Sequence, residues 1–89
     1  MELTDHAADI LASRRIDRRE IRQAGAQANI IEDYPEDKYS PSCLLLGFTS
    51  ANRPLHVLVS RDDTALVKVI TVYEPDPEIW IDYTRRRQG

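Results

Sequence analysis

The side chains best suited to proton transfer near neutral pH are two histidines, His6 and His56. An imidazole with an ordinary pKa of about 6.5 can both take and give a proton there. Around them in sequence lies an uneven supply of positive charge. Eight of the twelve basic residues fall in two clusters, Arg14, Arg15, Arg18, Arg19 and Arg22, then Arg85, Arg86 and Arg87. Acids gather elsewhere, at Glu32, Asp33, Glu36 and Asp37 and again at Glu74, Asp76, Glu78 and Asp82. Exposed charges are screened beyond about 8–10 Å, so such clusters act locally, whatever the net charge. The arginines read either as an anion-binding face or as a solvated helix face with a tail that pairs with the acids just before it.

Other chemistry-bearing residues have simpler readings. Cys43 opens an apolar run with no adjacent base and reads as a small buried hydrophobe. Asp62 and Asp63 suit a turn. Tyr73 and Trp80 fit a core in which their polar atoms find partners. His6, His56 and Asp9 lack the spacing of a metal site, so no metal and no cofactor is expected.

The elements that must carry these groups follow from periodicity. Leu3, Ala7, Ile10 and Leu11 mark an amphipathic helix over 4–14. A second helix is expected over 18–26: Asp17 caps it, Glu20 completes a capping box, and Ile16 and Ile21 form a hydrophobic staple. After Ala28 the pattern turns to strands: Asn29 to Glu32, Ser42 to Thr49, Leu55 to Ser60 and Leu66 to Tyr73. Between the first two strands lies a polar loop from Asp33 to Pro41. The next breaks, Ser50 to Pro54 and Arg61 to Thr64, have hairpin length. Short connections make antiparallel neighbours, which predicts an α+β fold: two N-terminal helices on one face of a four-stranded antiparallel meander sheet. Pro75 to Arg87 would dock back with Trp80 and Tyr83, ahead of a basic tail over 84–89. Alternation gives Leu55, Val57 and Val59 one face and His56, Leu58 and Ser60 the other. It likewise groups Lys68, Ile70 and Val72 against Val69, Thr71 and Tyr73, leaving one sheet face partly open.

Eighty-nine residues make one small domain. The 42% hydrophobic and 30% charged content is that of a soluble globular chain. No apolar run approaches the length of a membrane span, which argues against a membrane protein. Met1 to Asp5 lacks the basic and apolar regions of a secretory signal, and with a single cysteine a cytoplasmic location is expected. A net charge of −3 argues against nonspecific nucleic-acid binding through the whole surface.

One order of residues is more specific. His6-Ala7, Arg14 and Ile16, the run Ile31 to Pro35, Pro41 to Gly47, Arg53 to Val57, Val69 to Pro77, Trp80 and the closing arginines together resemble the bacterial "domain of unknown function 4258" family. The family pattern has an arginine where this chain has Ile10 and a glycine where it has Arg15. Members are similar in element order to small toxin ribonucleases of the RelE-like and barnase-like class. That resemblance implies metal-independent RNA cleavage. One group takes the 2′-hydroxyl proton, another protonates the leaving oxygen, and cations stabilise the phosphorane-like transition state. On this reading His56 is the first acid–base candidate. His6 reaches in from the first helix, with Arg14 two turns along and about 80° round, and Tyr73 joins them. Lys68, Arg18, Arg85 and Arg86 would bind substrate, with RNA and an antitoxin protein as partners. The alternative is a non-catalytic module that holds a protein or RNA on the open sheet face or an edge strand such as Asn29 to Glu32.

Overall fold

The computed structural model describes residues 2–35, 41–60 and 68–87. Helix α1 runs over Asp5–Arg14 and α2 over Arg18–Ala26. Thr4 caps α1: its hydroxyl accepts the Ala7 N–H at 3.1 Å and donates to the Ile70 carbonyl at 3.0 Å. One side chain thus starts a helix and ties it to the sheet. The capping box expected at α2 is present, with the Glu20 N–H donating to Asp17 at 2.8 Å and the Asp17 N–H to Glu20 at 3.2 Å. Ile16 and Ile21, the staple pair, are both buried. Arg15 ends α1 at φ 55° and ψ 41°, a left-handed cap that favours glycine. The glycine that the resemblance implies at this position would therefore suit a helix stop, which arginine occupies here.

The strands are β1 (Glu2–Leu3), β2 (Asn29–Tyr34), β3 (Ser42–Phe48), β4 (Pro54–Ser60) and β5 (Lys68–Tyr73), followed by β6 (Trp80–Ile81) and β7 (Arg85–Arg86). Strands β2 to β5 form the expected antiparallel meander. The four-stranded expectation needs one correction: β1 joins the far side of β5 in parallel, giving a mixed five-stranded sheet ordered β1-β5-β4-β3-β2. Two residues ahead of a helix carried no alternation from which a strand could be read. Strand β2 also extends to Tyr34, beyond the expected end at Glu32, because Asp33 and Tyr34 still pair with Cys43 and Ser42. The turn expected at Arg61 to Thr64, and Leu66 and Val67, lie outside the described residues.

Both helices pack on one face, here the inner face. Ala7, Ile10, Ile16, Ile21 and Ala24 meet Cys43, Leu55, Val57, Val59, Val69 and Val72 there. Helix α2 lies so close to β3 that a Cβ on Gly47 would sit 1.9 Å from the Ala24 carbonyl oxygen, so only glycine fits.

Strict alternation fails twice. The register shifts between Leu58 and Val59, so that Ile70 is an extra residue in β5. Val69 and Val72 consequently share the inner face, while Thr71 and Tyr73 stay on the other, which corrects the expected grouping. A second shift in β2 makes Ile31 extra and sets Glu32 opposite Leu44 rather than Cys43. Bulges of this kind re-aim the side chains beyond them.

The outer face is largely covered: the docking expected of Pro75 to Arg87 is present, and it closes much of the face that alternation leaves partly open. Residues 75–87 fold back over it as the β6–β7 hairpin, and Trp80 is buried there. The hairpin turn places Asp82 at φ 51° and Tyr83 at φ 65°, with the Thr84 N–H donating to the Ile81 carbonyl at 3.0 Å. Two successive non-glycine residues in the left-handed region carry strain. Among the described residues, no helix is long and apolar enough to cross a membrane.

Candidate functional site

The register lines up Asn29, Leu46, His56 and Tyr73 across the outer face, and beside them Glu32, Leu44, Leu58 and Thr71. His56 is fully buried at 0% exposure. Its Nε2 lies 2.6 Å from the Tyr83 carbonyl oxygen and its Nδ1 3.2 Å from the Tyr73 hydroxyl. A carbonyl only accepts, so Nε2 carries the proton in a neutral ring, and Nδ1 accepts the Tyr73 O–H. Trp80 stands edge-on to the ring at 4.4 Å and Tyr73 at 5.2 Å. Burial pushes the His56 pKa down; the Tyr83 carbonyl and the Glu32 charge pull it up, and Arg86 adds to the lowering. The strained turn therefore aims the Tyr83 carbonyl at the imidazole.

Arg86 reaches across from β7. Its Nε and Nη2 donate to the two Glu32 oxygens at 3.0 and 3.1 Å, and its guanidinium lies 4.7 Å from the centre of the Trp80 ring. The Tyr34 hydroxyl donates to the same Glu32 carboxylate. Arg86 holds the Glu32 carboxyl below its ordinary range against the opposing effect of burial. Burial pushes both tyrosines, Tyr34 and Tyr73, above theirs, so both hydroxyls are protonated at neutral pH. Half-buried Glu32, Tyr34 and Tyr73 and the 59%-exposed Arg86 side chain thus gather over a neutral histidine.

The structure brings together three of the residues expected from sequence, His56, Tyr73 and Arg86. It separates His6, Arg18 and Lys68 from them. His6 is exposed on α1, which covers the inner face, so the two imidazoles lie on opposite sides of the sheet. The expected His6–His56 pair does not form. Arg18 is exposed at the start of α2, in the helix layer. Arg14, at the exposed end of α1, extends its charge to the Tyr73 hydroxyl. Lys68 opens β5 and Tyr73 closes it, which at about 3.3 Å per residue sets them roughly 16 Å apart. Arg85 is exposed beside Arg86. Nor does the tail pair with the acids just before it: Arg86 pairs with Glu32, and Arg87 Nε donates to the Pro77 carbonyl at 3.0 Å.

Glu32 and Tyr34 were not among the residues singled out. Their spacing, two apart in a strand, was the available signal, but only the bulge at Ile31 turns them to the outer face. A second charged cluster, Arg53 with Glu20 at 2.9 Å and Glu74 at 3.4 Å, ties α2 to the sheet end and draws in the Arg15 carbonyl. Among the described residues, no group of three or more histidine, cysteine or acidic side chains is placed to hold a metal ion.

No curated protein and no solved structure matches the chain. A family model described as "Domain of unknown function (DUF4258)" matches residues 3–74, from β1 through the last strand of the sheet. The chain belongs to the domain of unknown function 4258 family.

Proposed function

We propose that the protein is a toxin-like endoribonuclease that cleaves RNA through the Glu32–Arg86–Tyr73 face without a bound metal. The observation that carries this reading is the ionised Glu32 carboxylate, clamped by Arg86 at 3.0 Å next to protonated tyrosine hydroxyls. The resemblance in element order to RelE-like and barnase-like toxins expected from the sequence adds a fold analogy to it. Glu32 takes the proton of a ribose 2′-hydroxyl, and the freed oxygen attacks phosphorus. The bond from phosphorus to the 5′-oxygen breaks, and that oxygen takes the Tyr73 proton as the O–H turns from His56 Nδ1 toward it. The products are a 2′,3′-cyclic phosphate and a 5′-hydroxyl; Glu32 then returns its proton to water, and Tyr73 regains one. Arg86 stabilises the charge that builds on the phosphoryl oxygens.

His56 has a different role from the one expected of it. Sealed under the hairpin, with both ring nitrogens engaged, it cannot touch substrate. It is a positioning residue that fixes the Tyr73 hydroxyl. The test is cleavage of a labelled single-stranded RNA by the full chain in the presence of EDTA. Glu32→Gln and Arg86→Ala should each lower kcat/KM by about 10²–10⁴ with the fold intact. No cleavage by the wild-type chain overturns the reading.

A binding module is the second reading, favoured by a different observation. Strand β2 lies at the sheet edge, and its Ile30 is 58% exposed. An unpaired strand edge is a template for a partner's strand, such as that of an antitoxin. RNA retained without cleavage, with affinity falling steeply in salt, decides for an RNA-binding module. Salt-insensitive association with a protein decides for the edge strand.

A further inference from the structure

Strand β3 ends on Phe48, whose ring is 43% exposed. A lone exposed apolar residue needs no explanation, but this ring is held in place beside a cleft. Tyr83 braces it edge-on, with centroids 6.2 Å apart and planes at 73°. Phe48 lines a cleft of about 350 Å³ with Gln23, Gln27, Thr49 and Ser50, within the roughly 300–1,000 Å³ of small-molecule sites. Gln23 Oε1 accepts the Ser50 N–H at 3.0 Å, which orients the amide and leaves its NH₂ as a donor. The Gln27 amide and the Ser50 hydroxyl have no partner among the described residues. No charged side chain lines the cleft.

A flat ring, unspent amide and hydroxyl groups and no charge suit a nucleobase, with its face for stacking and its edge of donors and acceptors. They do not suit a phosphate. Contacts lead directly from this cleft to the reacting groups: Phe48 touches Tyr83, the Tyr83 carbonyl binds His56, and His56 packs on Trp80 beneath Arg86. We infer that the Phe48 cleft holds an unpaired base of a single-stranded RNA whose phosphate lies at Arg86. This rests on the ribonuclease reading and adds to it the substrate class, since a base in a duplex cannot enter the cleft.

Titrating the isotope-labelled full chain with AMP, GMP, CMP, UMP or ribose 5-phosphate separates base from phosphate. At least one nucleotide should shift the Phe48, Ser50, Gln23 and Gln27 amide signals, and ribose 5-phosphate should not. A labelled 2′-O-methyl RNA hexanucleotide, which offers no nucleophile, then measures affinity. Phe48→Leu should weaken it by about 5- to 150-fold, the worth of one stacked base. Gln27→Ala, at an exposed position, should weaken it by roughly 2- to 12-fold. The inference is overturned if no nucleotide shifts those signals or if Phe48→Leu binds the hexanucleotide as tightly as the wild type. Cleavage that ignores Phe48→Leu removes the base site and leaves the ribonuclease reading standing. Base binding at Phe48 without cleavage does the reverse.

Discussion

The two faces of the sheet are closed by different physics. On the inner face, Leu55, Val57 and Val59 of β4 meet two helices through apolar contact alone, each contributing roughly 1.5–3 kcal/mol by leaving water. On the outer face, His56 of the same strand is just as buried but is held by directional bonds to Tyr73 and Tyr83. Among the described residues, every buried side-chain polar atom has a partner. Area is non-directional and tolerates rearrangement; a buried polar network fixes one geometry and is costly when partly broken. The face that could do chemistry is therefore the one whose closure specifies where each hydroxyl and charge must point.

The contrast breaks most severely where the inner face has no slack. Gly47→Ala forces a methyl group onto the backbone of α2, a clash that no side-chain rotation relieves. Stability should fall by about 3 kcal/mol, the upper end of ordinary overpacking, as read by urea denaturation. A loss below about 0.5 kcal/mol would mean that α2 lifts from β3 freely and that this face is less tightly specified than its packing implies.

Next in size is the outer face's central group. His56→Ala leaves the Tyr83 carbonyl and the Tyr73 hydroxyl without their shared partner and should cost about 2–3 kcal/mol. The single tryptophan, Trp80, reports the loosened hairpin as a red-shifted emission. The same group gives a pH signature. Because burial lowers the His56 pKa in the folded state, the unfolded chain takes up the proton first. Stability is then flat above pH ~6.5 and declines as pH falls from there through the lowered folded value, with a slope no steeper than about 1.4 kcal/mol per pH unit. His56→Gln should remove this decline. A wild-type curve that stays level between pH 7 and pH 5 would show that the imidazole is not buried as neutral.

The inner face was largely legible in the sequence, because its information is periodic. The capping box, the staple and the Leu55–Val57–Val59 alternation each have a fixed spacing that local geometry enforces. The outer face was legible only in parts. His56, Tyr73 and Arg86 stood out by type, and Trp80 and Tyr83 announce that the segment after Pro75 docks back, but no local signal gives the position at which it does so. Glu32 reaches the cluster only because Ile31 bulges, and Val69 and Val72 share a face only because Ile70 does. A bulge shifts the phase of every residue beyond it. Strict alternation fails there for that reason. His6 misled in the opposite way: helical spacing placed it beside the apolar stripe, but not on which side of the sheet the helix would lie.

The smallest expected effect sharpens the comparison most. The Arg86–Glu32 pair sits at the surface of the outer cluster, with the Arg86 side chain 59% exposed, so it belongs with ordinary surface ion pairs. A double-mutant cycle with Glu32→Gln and Arg86→Ala should give a coupling of about 0.2–1 kcal/mol that shrinks as salt is added. Because Arg86 lowers the Glu32 pKa, this stability is present above pH ~4.5 and is lost as pH falls through the folded value. A salt-independent coupling above about 2 kcal/mol would make the pair part of the scaffold that closes the face. With a weak coupling, the cluster divides into a rigid base of His56, Tyr73 and Trp80 and a loosely bound charged rim. That division matters for the proposed chemistry, since a guanidinium that is to meet a phosphoryl group must leave its carboxylate at little cost. It also means that loss of RNA cleavage in Arg86→Ala can be assigned to the reaction, because the fold hardly depends on that residue.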